Sequence, residues 1–195
     1  VSRSGQAYPD PSNQCRPYNP PFTLAMQLSM QLLQKKNGIT IIYDQDDQVR
    51  HVRLNDSHPA NVKPSPMGDS VGHYEGDTLV VDTIAIQPGP YAMVDRYGSP
   101  VTEALHVIER YRLIDGVSAK EAQDRYEKLD GRLGGPPGAR DIDPDTGLKG
   151  LQVYVTVEDP NVFTTPWSAY VTYRHMNAGM PWEEHVCAEI GRAHV

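Results

Sequence analysis

Short segments in which apolar and polar residues alternate constrain the fold of this chain more than any other feature. From Ile39 onward, β-branched and aromatic residues recur at every second position over short stretches. A period of two places successive side chains on opposite faces of a strand, so each segment is expected to bury one face. About eight strands are predicted, at residues 39–44, 49–54, 71–75, 78–86, 104–114, 151–158, 168–175 and 182–187.

The segments between the predicted strands carry residues that favour tight turns. Gln and Asp occupy residues 45–47, Gly and Asp form the centre of a hairpin at 75–78, and Asp-Pro-Asn follows a later strand at 159–161. Short turns join neighbouring antiparallel strands, so sequential antiparallel pairing is expected. The predicted fold class is mainly β: an antiparallel meander barrel of about eight strands, calycin- or lipocalin-like, or a strongly curled sheet.

An N-terminal helix is predicted at residues 23–36. Leu24, Leu28 and Leu32 recur there at helical spacing, and Asn37-Gly38 supplies a stop. We expect this helix to plug or cap the sheet.

A long insertion at residues 115–150 interrupts the strand pattern. Ser118 and Glu121 match a capping box, which predicts a helix that runs to about residue 129. Glycine and proline at 134–138 end the regular structure. An insertion of this length is typical of a lid, a mobile loop or an interface arm, including an arm that joins the copies of a homo-oligomer.

Length and charge narrow the classes of partner. A chain of 195 residues suits a single domain, which we expect over residues 1–189. Its 18 Lys and Arg are scattered and are outnumbered by 25 Asp and Glu, so no nucleic acid partner is expected. No apolar run approaches the roughly 20 residues of a membrane-spanning helix. The sequence contains neither a GxGxxG motif nor a P-loop, so no nucleotide cofactor is expected. A small-molecule ligand is expected, because a barrel of about eight strands can hold one.

The two ends of the sequence bear on its origin. Residues 1–11 are polar and lack the apolar core of a signal peptide, so we expect that a signal was removed or that the chain starts inside a longer one. Residues 189–195 read EIGRAHV, which is the translation of a common sequencing-adapter oligonucleotide. We therefore expect residues 190–195 to be an artefact in a truncated metagenomic fragment and exclude them from any site.

Cys15 and Cys187 are the only cysteines and lie near opposite ends of the sequence. In an oxidising compartment, a bridge between them would close almost the whole chain and stabilise it by roughly 4–5 kcal/mol in the chain-entropy treatment. Two separate buried thiols are the alternative. The sequence contains no CxxC motif of the kind that binds zinc or performs redox chemistry.

Glu109 is the first candidate for a catalytic role. Alternation places it on one face of the strand at 104–114 with Val107 and Tyr111, and places His106 on the other face. A carboxylate among apolar neighbours is costly unless it is paired or protonated. We expect either a general acid or base whose pKa is raised by burial, or a structural ion pair.

The densest polar stretch, residues 68–77, supplies further candidates. His73 and Glu75 are two residues apart and point the same way, so they could form a catalytic proton-shuttling pair or two ligands of a divalent metal. Asp69 and Ser70 are candidate ligand-binding residues. A solvated His and Glu at an exposed hairpin edge would give the same pattern.

His58 precedes Pro59, which favours an extended backbone and presents the imidazole from a loop. It is a candidate catalytic residue. With His73 and His106 it also forms a candidate three-histidine site for a divalent metal.

Asp82 is an acid within the apolar strand at 78–86. We expect Arg53 or Arg110 to be its partner, because a half-buried carboxylate needs a compensating charge. Arg53 and Asp82 are therefore included among the candidate ligand-binding residues.

Five strings along the chain are distinctive: GDSVGHYEGDTLVVDT at 68–83, LHVIER at 105–110, VEDP at 157–160, PW at 166–167 and VCAE at 186–189. Together they resemble a family of exported, uncharacterised proteins of soil bacteria such as acidobacteria. The resemblance covers about residues 15–189. It implies a cleaved signal with a periplasmic or secreted location, a β-rich fold and a bridge between Cys15 and Cys187. It implies no reaction, because none is established for that family.

These observations favour a β-barrel that binds, and could transform, a small organic or sugar-like molecule. Glu109 would act as acid or base in hydrolysis, elimination or isomerisation, with His73 and Glu75 at the mouth and residues 115–150 as a lid. The first alternative is a non-catalytic periplasmic ligand-binding or interaction module. The second is a metal-dependent enzyme with a His/Glu site.

Overall fold

The computed structural model describes residues 11, 15–27, 29–44, 48–132, 142–179 and 182. This part of the chain is mainly β, because a single curled sheet of eight strands forms a half-barrel that two helices accompany. In chain order the elements are α1 (Phe22–Ala25), β1 (Met30–Lys35), β2 (Gly38–Tyr43), β3 (Val49–Leu54), β4 (Asp69–Glu75), β5 (Thr78–Ile84), β6 (His106–Ile114), α2 (Gly116–Arg132), β7 (Gly150–Glu158) and β8 (Trp167–Tyr173).

The eight strands lie in the sheet in their chain order. Neighbouring strands are antiparallel except β3 and β4, which run parallel with Val52 opposite Ser70. The prediction of a mainly antiparallel, strongly curled sheet is confirmed. The prediction that every sequential pair is antiparallel is wrong at this one step.

The parallel step results from the connection between β3 and β4, residues 55–68, which we call the crossover segment. Adjacent parallel strands need a connection that returns along the sheet, and this takes about a dozen residues or more. Asn55, with φ of 55°, and Gly68, with φ of 67°, turn the backbone at the two ends of the segment. Its three prolines lack the backbone donors that another strand would need.

The predicted helix at residues 23–36 is wrong over most of its length. Only Phe22–Ala25 is helical, whereas Met30–Lys35 forms a strand that pairs with β2 across the two-residue turn Lys36-Asn37. The leucine spacing fits a helix, but pairing with β2 across this short turn satisfies the backbone of the segment by hydrogen bonds between the two strands. Asn-Gly marks hairpin turns as well as helix ends, so the sequence signal was ambiguous.

The other predicted strands within the described residues are confirmed, with ends that differ by no more than two residues. The hairpin at 75–78 is also confirmed, since Glu75 pairs with Thr78. The predicted strand at 182–187 lies outside the described residues apart from Trp182, which is in no strand. The predicted turn at 45–47 also lies outside them.

The insertion at residues 115–150 contains the predicted helix, which begins earlier than expected. Oδ1 of Asp115 accepts a hydrogen bond from the backbone N–H of Ser118 at 2.9 Å, so Asp115 rather than Ser118 caps α2. The helix packs against β7 and β8, with Ala119 fully buried. The glycine and proline stretch at 134–138 lies outside the described residues.

The hydrophobic core covers one face of the sheet, which we call the inner face and which carries Ile41, Val81 and Val107. The opposite face is called the outer face. Buried and more exposed residues alternate along β2, from Gly38 to Tyr43, as the period-two pattern predicts. Each strand therefore presents one set of side chains to the core and another to the surface.

We predict that Gly150→Ala disturbs the packing of α2 on β7. A Cβ at this position would lie 2.4 Å from the Cβ of Ala119 and 3.0 Å from the carbonyl oxygen of Tyr173, so the helix must shift. Overpacking of this kind costs typically about 1–3 kcal/mol, which thermal unfolding should show as a lower Tm. Gly89→Ala is the matched control, because no described atom lies within 4 Å of the added methyl group. Equal Tm values for the two variants would contradict the close packing.

Candidate functional site

An arginine and a glutamate form an ion pair on the inner face. The side chains of Arg50 in β3 and Glu109 in β6 are 1% and 0% exposed. Arg50 donates from Nη1 to Oε1 at 3.0 Å and from Nη2 to Oε2 at 2.5 Å. It also donates from Nε to Oγ of Ser70 at 3.0 Å and from Nη2 to Oγ1 of Thr83 at 2.6 Å. The two buried charges are thus neutralised within the protein.

Strand alternation accounts for this arrangement. Glu109 lies on the inner face and His106 does not, as the sequence pattern predicts. Sequence analysis missed Arg50, although it lies two residues before the buried Val52 and therefore on the same face. An arginine on the buried face of a strand indicates an acidic partner, because a buried charge needs a counter-ion. Glu109 is that partner.

The ion pair bears on the predicted catalytic role of Glu109. Both carboxylate oxygens accept hydrogen bonds from Arg50, so the atoms that would exchange a proton are occupied. This geometry corresponds to the structural ion pair that was the alternative expectation. A role for Glu109 as acid or base stays a prediction.

Three tyrosines lie around the ion pair. Burial raises the pKa of the Tyr43, Tyr111 and Tyr173 phenols, and the Glu109 carboxylate raises the pKa of each one further. At Tyr43 the Arg50 guanidinium opposes this increase. All three phenols therefore keep their protons at neutral pH and remain hydrogen-bond donors.

A chain of histidines and carboxylates crosses the outer face. His58, in the crossover segment, places Nδ1 2.6 Å from Oδ2 of Asp69 and Nε2 3.2 Å from Oδ1 of Asp82. His106 places Nε2 2.9 Å from the same Asp82 oxygen, and its Nδ1 lies 3.7 Å from Oε2 of Glu158. We call these five residues the histidine–carboxylate network.

Arg53 extends this network. It donates to both carboxylate oxygens of Asp69, at 2.6 and 3.1 Å, and to Oδ2 of Asp56 at 2.7 Å. Hydrogen bonding to Arg53, followed by hydrogen bonding to His58, holds the pKa of Asp69 below its ordinary value despite partial burial. Asp69 is therefore a carboxylate at neutral pH.

The network can hold a proton and fasten the crossover segment to the sheet. Both ring nitrogens of His58 face carboxylate oxygens, which only accept, so both nitrogens donate when the ring is protonated. The predicted partner of Asp82 is wrong, because His58 and His106 contact it. Arg53 instead binds Asp69, and Arg110 binds Glu75.

His73 and Glu75 lie together on the outer face, near the end of β4. Nε2 of His73 is 3.2 Å from Oε1 of Glu75, and Nη1 of Arg110 donates to Oε2 at 2.6 Å. Arg110 lowers the pKa of Glu75 most, and His73 contributes further. Because Glu109 is on the inner face, His73 and Glu75 do not lie at the mouth of a cavity that contains Glu109.

A groove with a volume of about 220 Å³ opens beside Glu75 on the outer face, and we call it the outer groove. At its far side the rings of Tyr154 and Tyr170 are 4.7 Å apart and inclined by 44°. The lining residues come from five consecutive strands, β4 to β8, and are Glu75, Thr78, Arg110, Arg112, Gln152, Tyr154 and Tyr170.

Sequence analysis identified Glu75 as a candidate catalytic residue and metal ligand, and it identified none of the other residues of the outer groove as a site residue. Tyr154 and Tyr170 are opposite each other in the pairing of β7 with β8, across the connection at 159–166. Alternation places each tyrosine on a face, but it does not set the register between the two strands. No local pattern therefore indicates that the rings meet.

The three candidate metal ligands do not lie together. His58 and His106 meet at Asp82, whereas His73 lies beside Glu75, so the three predicted histidines do not converge. Within the described ranges, no group of three or more His, Cys, Asp and Glu side chains has the geometry to hold a metal ion.

Two further predictions concern Ser70 and the two cysteines. Ser70, a candidate ligand-binding residue, is buried on the inner face beside Arg50, away from Asp69 on the outer face. Cys187 lies outside the described residues, so its bridge with Cys15 stays a prediction.

Comparison with known proteins gives no relative, since no family model, curated protein or solved structure matches this chain. Neither described helix is long and apolar enough to cross a membrane. Geometry alone therefore guides the proposal of a function, and the resemblance to exported proteins of soil bacteria stays a prediction.

We predict that Glu109→Gln lowers the free energy of unfolding by about 3–5 kcal/mol, because it leaves the Arg50 charge buried without a carboxylate. The double variant Arg50→Met/Glu109→Leu removes both charges and should recover most of that loss. Denaturant unfolding followed by circular dichroism measures both effects. A Glu109→Gln variant as stable as the wild type would show that the ion pair is not needed for the fold.

Acid should weaken the attachment of the crossover segment. The folded pKa of Asp69 is depressed, so its contribution to stability is complete above its unfolded pKa of about 3.9 and is lost as pH falls through the folded value. We predict that Asp69→Asn reduces the free energy of unfolding at pH 7 and flattens its decline below about pH 4. Glu103→Gln, at an exposed position, is the control and should keep the wild-type pH profile.

Proposed function

We propose that this protein binds a small sugar-like molecule in the outer groove. One observation carries the proposal: an open groove of about 220 Å³ combines a pair of tyrosine rings with arginine, glutamine, threonine and glutamate side chains. Ligand sites generally combine apolar surface with a few polar groups that fix orientation. The volume is below the usual range of roughly 300–1,000 Å³, so we expect a ligand of one ring.

The two tyrosines supply the apolar surface of the proposed site. Tyr170 is 64% exposed, and its ring is supported by Tyr154 on the next strand. Tyrosine offers a large, rigid contact area together with a polar tip, and the C–H groups on one side of a sugar ring pack against such a face. A cross-strand aromatic pair also stabilises the sheet, so an effect on binding must be separated from one on stability.

Polar groups of the outer groove would orient the ring. Arg112 donates from Nε and Nη2 to Oε1 of Gln152, at 3.2 and 2.8 Å, which holds the guanidinium in place. The lowered pKa of Glu75 keeps it ionised at neutral pH, so it can accept hydrogen bonds from sugar hydroxyls.

The charge of the groove favours an acidic sugar. Its lining contains two arginines, Arg110 and Arg112, but one carboxylate, Glu75, whereas the whole chain has a net charge of −7. A local excess of positive charge on an acidic protein selects for an anionic ligand. Arginine also binds carboxylates in a bidentate geometry, so a uronic acid is the expected ligand class.

Binding is favoured over hydrolysis of a glycosidic bond. Glycosidases generally use two carboxyl groups, one of them kept protonated as the acid. The described lining contains Glu75 alone, and Arg110 and His73 stabilise its ionised form. The His73–Glu75 pair could act as a base towards a bound ligand, which keeps elimination or isomerisation as the second candidate function.

Export and barrel closure belong to the same proposal. The resemblance to exported proteins of soil bacteria supports a periplasmic or secreted binding protein. In such a protein a Cys15–Cys187 bridge would be stable. A calycin-like closure of the half-barrel and association through residues 115–150 are further proposals.

Isothermal titration calorimetry with glucuronate, galacturonate, glucose and galactose tests the function. We expect the wild type to bind at least one uronate with a stoichiometry of one and to prefer it over the matching neutral sugar. Arg112→Gln should weaken uronate binding at least tenfold and reduce that preference, because it removes a cation that faces the carboxylate.

Tyr170→Ala should also weaken binding at least tenfold, whereas Tyr97→Ala, at a position that is 75% exposed and outside the groove, should not. The proposal fails if the wild type binds no uronate, or if both groove variants bind it as the wild type does. A fall in Tm for Tyr170→Ala with unchanged affinity would assign the tyrosine pair to sheet stability alone.

A further inference from the structure

We propose that the free edge of β1 pairs with the same edge of a second copy of this chain, so that two sheets join across a two-fold axis. β1 is the last strand on its side of the sheet, and among the described residues it pairs with β2 alone. Dimer formation at this edge is independent of ligand binding in the outer groove, whose lining residues come from β4 to β8.

The edge of β1 lacks the features that normally prevent such pairing. Natural edge strands are protected by proline, by a β-bulge or by charged side chains along the strand. Residues 30–35 contain no proline, each of them is opposite one residue of β2 without a bulge, and the one charged residue, Lys35, is at the end. The side chains at 31–35 are exposed, and Leu32 and Leu33 are among them. A regular edge with apolar side chains is thus open to another strand.

Hydrogen bonds in the hairpin of β1 and β2 show which backbone groups face the edge. The backbone N–H of Asp44 donates to the carbonyl oxygen of Ser29 at 2.9 Å, so these opposite residues form a hydrogen-bonded pair. Such pairs alternate with non-hydrogen-bonded pairs along antiparallel strands. Tyr43, opposite Met30, accordingly donates away from β1, to the carbonyl oxygen of Gln48 at 2.8 Å. The residues of β1 whose N–H and C=O groups point to the free edge are therefore Met30, Leu32 and Gln34.

Two-fold symmetry fixes the register of the proposed pairing. Strands related by an axis perpendicular to the sheet are antiparallel and keep the same face on the same side, so a residue on the axis is opposite itself in the other copy. With Leu32 on the axis, Met30 is opposite Gln34 of the second copy, and all three edge-facing residues are paired. Each opposed pair then exchanges two backbone hydrogen bonds. The edge of β1 is therefore complementary to itself.

Side chains on both faces fit this register. Leu32 is opposite Ile41 and lies on the inner face, so the two Leu32 side chains meet on one side of the joined sheet. On the outer face, Lys35 is opposite Ser29 of the second copy, and Asp44 of that copy lies on the next strand. Two strand spacings separate the Cα atoms of Lys35 and Asp44 by about 10 Å, so the lysine can reach towards a group of opposite charge.

The length of the edge sets the strength of association. Six residues at about 3.4 Å each give a contact about 20 Å long. A contact of this length buries less surface than the interface of a permanent dimer, so association should be reversible and should depend on protein concentration.

Sedimentation equilibrium of the full chain, from micromolar to millimolar concentrations, tests the proposal. We expect the wild type to form dimers and no larger species, because a two-fold contact uses the edge of both copies. Leu32→Lys should weaken dimerisation at least tenfold, because it places two like charges opposite each other on the axis. Val117→Lys is the control, since it adds the same charge at an exposed position of α2, and it should dimerise as the wild type does.

An equimolar mixture of Leu32→Lys and Leu32→Glu gives a second measurement, which depends on the register. The two substitutions place opposite charges on the axis, so the mixture should form a heterodimer although each variant alone stays monomeric. Leu32 is 36% exposed, so both monomers should fold, and circular dichroism should give the spectrum of the dilute wild type. Leu32→Lys should also bind glucuronate as the wild type does, which separates this proposal from the proposed function.

Three results would overturn the dimer at β1. They are a wild type that stays monomeric over the whole range, Leu32 variants that dimerise as the wild type does, and a mixture that stays monomeric. Loss of dimers in Val117→Lys but not in Leu32→Lys would place the contact at residues 115–150 instead.

Discussion

The ion pair between Arg50 and Glu109 ties together four neighbouring strands. Arg50 belongs to β3 and binds Glu109 of β6. It also donates hydrogen bonds to Ser70 of β4 and Thr83 of β5, which are opposite each other in the sheet. A slip of one residue in any of these pairings would turn one partner to the other face. A buried ion pair adds little net stability, but separation of the two partners leaves an uncompensated buried charge and costs several kcal/mol. The pair therefore favours this strand register over the alternatives.

The same register assembles the polar network on the outer face. Because Ser70 and Thr83 point inward, their chain neighbours Asp69 and Asp82 point outward, where the crossover segment brings His58 between them. The parallel pairing of β3 and β4 is essential here, since it forces the chain through a long crossover instead of a tight turn. His58 then fastens that crossover to the sheet, so an unusual topological step and the network depend on each other.

Local patterns predicted strands and faces, but not the contacts between distant strands. Alternation located seven of the eight described strands and placed Glu109 and His106 on opposite faces, because the period of two is a property of each strand alone. Segment 30–35 was assigned to a helix because its leucines recur at helical spacing and because Asn-Gly marks helix ends as well as hairpin turns. The parallel step, the partner of Asp82 and the meeting of Tyr154 with Tyr170 depend on register and connection geometry, which the sequence pattern leaves open.

The two faces of the sheet differ in their balance of charge for one physical reason, namely their access to water. On the outer face, solvent keeps Arg110 and Arg112 charged at little cost, so an excess of positive charge can be maintained there and offered to an anion. On the inner face, an unbalanced charge would be desolvated, so Arg50 is neutralised by Glu109, and the polar groups beside the pair are the hydroxyls of Ser70 and Thr83 and three protonated phenols. The charges of the inner face are therefore balanced within the pair that fixes the fold, whereas the outer groove keeps one more cationic than anionic side chain.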